Sequence, residues 1–188
     1  MPAPKPLLLA ALLLLAACTG SPAPNLFTLQ AQPGTVSSSR SVAVELRRVG
    51  LAGYLDRPEI VRGTEQYRLK LSETDRWGEP LGRMIDRVLT EDLVRRLPNG
   101  TVFAESGAIS ARPDTVLEVD IQRLDADPDG SMVLLAQIAI RPEGRPANAR
   151  VVRLAVPISG LTAAGHVAAM SAAIAQLADA VVADLARL

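Results

Sequence analysis

Beyond Ser41 the apolar residues recur first with a period of two and then with a period of three to four, and the switches between the two mark out the elements. Val42, Val44 and Leu46 share one side of residues 41–49 with Glu45 and Arg47 on the other, which predicts a half-buried strand. A turn-rich connector from Gly50 to Asp56 leads to a short strand at Arg57–Arg62, where Pro58 limits pairing, and a third strand is expected at Gln66–Leu71. Pro80 suits the first turn of a helix, since its missing N–H has no intrahelical partner there. Leu81, Met84, Ile85, Val88, Leu89, Leu93 and Leu97 then line one side, with Arg83, Asp86, Arg87, Glu91 and Arg95 largely away from them, until Pro98-Asn99-Gly100 ends the run.

The second half reads as a meander. Leu117, Val119 and Ile121 alternate with Glu118, Asp120 and Gln122; Asp127-Pro128-Asp129-Gly130 supplies a turn; Met132 to Ile140 runs apolar; and Pro142 to Pro146 turns again. Val152, Leu154, Val156 and Ile158 form the inner side of a last strand. A long helix follows, capped by Thr162, with Val167, Met170, Ile174, Leu177, Val181, Leu185 and Leu188 on one stripe. This order predicts an α+β single domain over residues 41–188, a mainly antiparallel sheet with two amphipathic helices packed on one face.

The N-terminal pattern is different. Lys5 precedes an apolar run of Leu and Ala from Pro6 to Ala17, the layout of an export signal over residues 1–17. The run is about a dozen residues, shorter than the roughly 17–25 that cross a bilayer. It ends at Leu15-Ala16-Ala17-Cys18, which resembles the lipobox of lipoprotein signal peptides, so Cys18 is the expected lipidation site. It is the chain's one cysteine, and acylation removes a thiol that has no disulfide partner in an oxidising compartment. Thr19 stands where an aspartate favours inner-membrane retention in such lipoproteins, so the resemblance implies the periplasmic face of the outer membrane. Residues 18–40, rich in Gly, Pro and Ser, read as a lipidated flexible tether.

Charge and composition narrow the function. The chain carries 20 basic and 20 acidic residues and 3% aromatics, which gives neither a field for nucleic acid nor rings for stacking on bases. The lone histidine, His166, begins an Ala-rich helix without an acidic neighbour and reads as a helix-surface residue. Asp125, Asp127 and Asp129 alternate, but Pro128 interrupts them, and a solvated hairpin turn is the simpler reading than a Ca²⁺ loop. Gly50 and Gly53 are too sparse for a phosphate loop. The sequence predicts no catalytic residue, no metal site and no cofactor.

Three stretches are similar to the ABC-type transport auxiliary lipoprotein family. They are Asn25-Leu26-Phe27-Thr28-Leu29, Tyr54-Leu55-Asp56-Arg57-Pro58-Glu59-Ile60-Val61, and Arg76-Trp77-Gly78-Glu79-Pro80-Leu81 continued by Ile85 to Leu97. The family often has tyrosines where this chain has Leu26-Phe27. The resemblance runs from the lipobox to the terminal helix and implies a non-catalytic auxiliary subunit of an intermembrane lipid transport system. Its partners would be an MCE-domain protein and an ABC or permease complex, with the membrane held through the anchor and copies of the chain gathered in a homo-oligomeric ring. Tyr54, Asp56, Arg57 and Trp77 are then the candidate partner-binding residues. Trp77 has a second reading, as cover for the sheet end beside the helix, and Asp56 and Arg57 as local fasteners of a turn. An envelope-assembly or peptidoglycan-synthase-activating lipoprotein is the alternative function. A lipid carrier would need a hollow core, and the 48% hydrophobic residues are mostly small, which favours a filled one.

Overall fold

The computed structural model describes residues 23–37, 41–108, 111–160 and 162–188. The expected export signal at 1–17 and the expected lipidation site Cys18 lie outside these residues.

Among the described residues, two sheets and two helices form the body. The larger sheet has the order β6-β2-β7-β8-β9, with β3 also beside β7: β2 is Ala43–Leu46, β3 Gly50–Leu51, β6 Thr101–Ala104, β7 Thr115–Ala126, β8 Ser131–Pro142 and β9 Asn148–Pro157. The expected meander is β7, β8 and β9, whose long ladders are antiparallel. Its first turn follows from sequence: the Gly130 amide bonds to the Asp127 carbonyl at 3.1 Å, Gly130 takes φ +83°, and Asp129 Oδ1 accepts from the Ser131 amide at 2.9 Å. That is a type I turn closed by a left-handed glycine. The β2 pairings with β6 and β7, and that of β3 with β7, are parallel.

The smaller sheet has the order β1-β5-β4, with β1 at Asn25–Phe27, β4 at Glu59–Glu65 and β5 at Arg68–Trp77. The third strand expected at Gln66–Leu71 is displaced, because Gln66 and Tyr67 form the hairpin turn at φ 47° and 67°. Positive φ at both centre positions matches the right-handed twist of a two-residue hairpin, a turn that Gln-Tyr does not announce.

Helix α1 spans Leu81–Arg96 and α2 spans Ala163–Leu185. The expected stripes bury as read, except that Leu185 is only half-buried, Leu188 is 38% exposed and Asp86 turns inward at 7%. Thr162 caps α2 by accepting from the Gly165 amide at 3.1 Å. Helix α2 is long and apolar enough to span a membrane, but two thirds of its apolar stretch is buried against the sheet and α1. The apolar sides of both helices and of β2, β7 and β8 form the hydrophobic core.

The expected tether is corrected from residue 23 onward. Phe27 pairs with Trp77 in β5, Leu29 is 1% exposed, and residues 30–37 lie along the seam between α1 and α2. The folded body therefore begins well before Ser41. Composition misses this because the segment is held by backbone donors, not by an apolar stripe.

Candidate functional site

A bulge between Ile121 and Arg123 shifts the alternation of β7, so that Leu124 points to the core while Arg123 and Asp125 take the opposite side. Asp125 is 2% exposed. It accepts the Tyr54 hydroxyl on Oδ2 at 2.9 Å and Arg123 Nε on Oδ1 at 2.6 Å, and Arg123 Nη2 reaches Asp127 Oδ1 at 2.5 Å. Burial pushes the Tyr54 hydroxyl well above the ordinary phenol range, and its hydrogen bond to Asp125 pushes further the same way. Tyr54 is thus pinned as a proton donor with its ring half-buried. The Asp125, Asp127 and Asp129 set does not converge on a common point: Arg123 occupies the first two and Ser131 the third.

The other sequence candidates separate. Asp56 is exposed and Arg57 half-buried, with the Arg57 amide bonded to the Leu55 carbonyl at 2.9 Å. Arg57 Nε is buried without a hydrogen-bond partner. Trp77 is not an exposed contact: at 6% exposure it sits in the core, its amide bonded to the Pro58 carbonyl at 2.8 Å. Closing the sheet beside α1 takes the whole indole, which corrects its assignment as a contact residue. Tyr54, Asp56 and Arg57 remain together on one turn.

An open cleft of about 1070 Å³ lies between the β4–β5 hairpin, the 126–130 turn and the start of α2, lined among others by Arg62, Lys70, Leu71, Asp127, Ile158 and His166. His166 is 6% exposed, not a helix-surface residue. Its Nδ1 lies 3.0 Å from the Thr162 carbonyl, to which it donates as the N–H tautomer, and Arg62 Nη2 stands 3.4 Å from the same nitrogen. Burial lowers its pKa, and the Arg62 charge lowers it further. His166 is thus held in the cleft wall between the Thr162 carbonyl and the Arg62 guanidinium.

Sequence reading missed the most buried charge. Arg96 and Asp92 side chains are 0% exposed and pair at 3.3 Å. Arg96 also bonds Asp179 Oδ1 at 2.7 Å, the Gln32 carbonyl at 3.2 Å and the Ala175 carbonyl at 3.0 Å. Around it the N-terminal segment is held amide by amide: Gln30 to Ser171 Oγ at 3.2 Å, Gln32 to Asp92 Oδ1 at 2.8 Å, Thr35 to Asp179 Oδ1 at 3.2 Å, and Ser37 to the Arg96 carbonyl at 2.8 Å. Burial holds Asp92 above the usual carboxylate range, against the Gln32 amide and the Arg96 charge. The signal was present in the spacing: Asp92 and Arg96 continue the i, i+4 row of the buried Val88.

Two solved structures share the fold. One, described as an uncharacterized protein, aligns at a TM-score of 0.71 and 17% identity over 88% of this chain and 98% of its own. The other, protein XCC0632 from Xanthomonas campestris of family DUF330, aligns at 0.68 and 16% over 84% and 92%. No protein with a curated function matches the sequence. The model of the ABC-type transport auxiliary lipoprotein component family matches residues 26–182, from within β1 nearly to the end of α2. The chain belongs to that family.

Proposed function

We propose that the protein is an outer-membrane lipoprotein, acylated at Cys18, that serves as a non-catalytic auxiliary subunit of an ABC/MCE-type intermembrane lipid transport system. Family membership over residues 26–182 carries the reading. Two features support a role at the surface: Asp125 and Asp127 are paired with Arg123 and Arg153, and His166 Nδ1 lies against the Thr162 carbonyl. Tyr54, Asp56 and Arg57 present a rigid turn, backed by the buried Asp125, that suits docking of the MCE-domain partner, and copies of the chain around the conduit would add weak contacts together.

The test is photo-cross-linking in cells with the probe at Asp56, compared with the same probe at exposed Arg112, followed by detection of the MCE-domain subunit. Capture from position 56 and not from 112, in the outer-membrane fraction, is expected. Capture from 112 alone would move the docking surface, and fractionation with the inner membrane would overturn the assigned location.

A further inference from the structure

The β4–β5 hairpin carries an aromatic residue that folding does not use. Tyr67 is fully exposed, at 104% of its reference area, at the tip of the turn and at a positive φ that a bulky side chain rarely adopts. Leu69 and Leu71 follow at 37% and 36% exposure, alternating with Arg68 and Lys70 along β5, and Lys70 pairs with Glu65 at 2.5 Å. Leu69 and Leu71 thus share one face of β5 and Arg68 and Lys70 the other, with Tyr67 exposed at the turn before them.

Strand topology says which way the chain arrives. Because β1 runs parallel to β5, with Asn25 opposite Asp75 and Phe27 opposite Trp77, the chain enters β1 from the direction of the hairpin tip. Along β5 the tip lies eight residues from Asp75, about 26 Å at the rise of a strand. Seven residues separate Asn25 from Cys18 and reach at most about 25 Å. At full extension the anchor therefore comes to within about an ångström of the level of Tyr67. The 126–130 turn shares that end of the large sheet with the hairpin, across the cleft, and the turn at 143–147 closes the other end.

We infer that the β4–β5 hairpin tip is a second membrane contact, resting in the headgroup region of the phospholipid bilayer that holds the acyl chains of Cys18. This rests on the reading of Cys18 as the lipidated residue. A phenol with an apolar body and a polar end suits that layer, flanking leucines add aliphatic surface, and Arg68 and Lys70 face lipid phosphates. Arg62, Arg68 and Lys70 stand against Glu65 and Glu73, so the contact does not depend on anionic lipid. Such a tip is too small to bind a bilayer alone; the covalent anchor makes its contact intramolecular. Two attachment points instead of one set the domain upright, with residues 143–147 farthest from the membrane.

The experiment uses the mature acylated chain in phosphatidylethanolamine/phosphatidylglycerol vesicles, with a polarity-sensitive fluorophore on Gln66→Cys or, as control, on exposed Ala147→Cys; the acylated Cys18 sulfur does not react. Lipids brominated near the headgroup should quench the label at 66 several-fold more than that at 147. Adding Tyr67→Ser and Leu69→Ser should bring position 66 down to the control level. Flotation separates the two readings: a chain that does not float overturns the anchor and this contact with it, whereas a floating chain whose two labels quench alike overturns the contact alone. Self-quenching between labelled copies at 66 without lipid quenching would assign the tip to a second copy and also overturn it.

Discussion

Replacing Arg96 with methionine removes the guanidinium and keeps most of the side-chain volume. In the parent that group makes contacts to two carboxylates and to the carbonyls of Gln32, Asp92 and Ala175. Asp179 is 38% exposed and water can replace what it loses, but Asp92 is fully buried and its Oδ2 already lacks a partner. Stranding one member of a buried ion pair costs about 3–5 kcal/mol, a large share of the ~5–15 kcal/mol that holds a domain folded. Arg96→Met with Asp92→Leu removes the stranded charge as well, leaving chiefly the Gln32 amide and the carbonyls unsatisfied, and the double variant should be more stable than the single one. Urea unfolding of the chain carrying Cys18→Ser, with hydrogen exchange at the Gln32 and Ser37 amides, measures both quantities. In the single variant those amides should exchange faster than the β7–β8 ladder. A loss below about 1 kcal/mol, or a double variant less stable than Arg96→Met, would refute the reasoning that a buried pair is held by mutual neutralisation.

Two further outcomes follow from the same seam and its neighbour. A Cβ on Gly34 would stand 2.0 Å from Arg96 Nη2, a group fixed by its own bonds, so Gly34→Ala should destabilise by about 1–3 kcal/mol in the same urea assay, and a neutral result would mean that Arg96 moves freely. Burial raises the Asp86 carboxyl above its unfolded value while Oδ1 accepts the Val49 amide at 2.8 Å, so the ionised folded form is penalised at neutral pH and relieved as pH falls through the raised pKa. Asp86→Asn keeps the acceptor without the charge. Its stability relative to the parent should be most favourable near pH 7 and decline toward pH 4 in thermal unfolding, and a pH-independent difference would contradict this.

Much of the fold was readable where side chains alone decide it. The α1 and α2 stripes, the Thr162 cap and the meander turn at 127–130 each depend on a period or a local hydrogen bond, and each stands where the pattern placed it. The parallel pairings were not readable, because β1, β3 and β6 are two to four residues long and too short to show a period. Polar Ser72 to Arg76 lie in β5 because its neighbours β1 and β4 supply the ladder, which is tertiary context overriding propensity. The turn that carries Tyr54, Asp56 and Arg57 was readable as a turn. The partner that pins it was not, since only the β7 bulge brings Asp125 beneath a residue 71 positions away.

The same limit explains why Arg96 is an arginine. An irregular segment such as 30–37 exposes amides and carbonyls that no apolar surface can satisfy, and once buried each unsatisfied group carries a penalty. A helix face can meet donors with carboxylates, as Asp92 and Asp179 do, but carbonyls need a donor, and a guanidinium offers several in a fixed plane. The guanidinium then offsets part of the carboxylate charge as well. A leucine zipper between this segment and the helices would grip as firmly, yet slide, because apolar contact has no register; hydrogen bonds to named amides fix the segment residue by residue. In the lipoprotein proposed above, with its anchor at Cys18, that register matters more than the strength of the grip, because a segment fixed residue by residue sets how far the body can stand from the membrane.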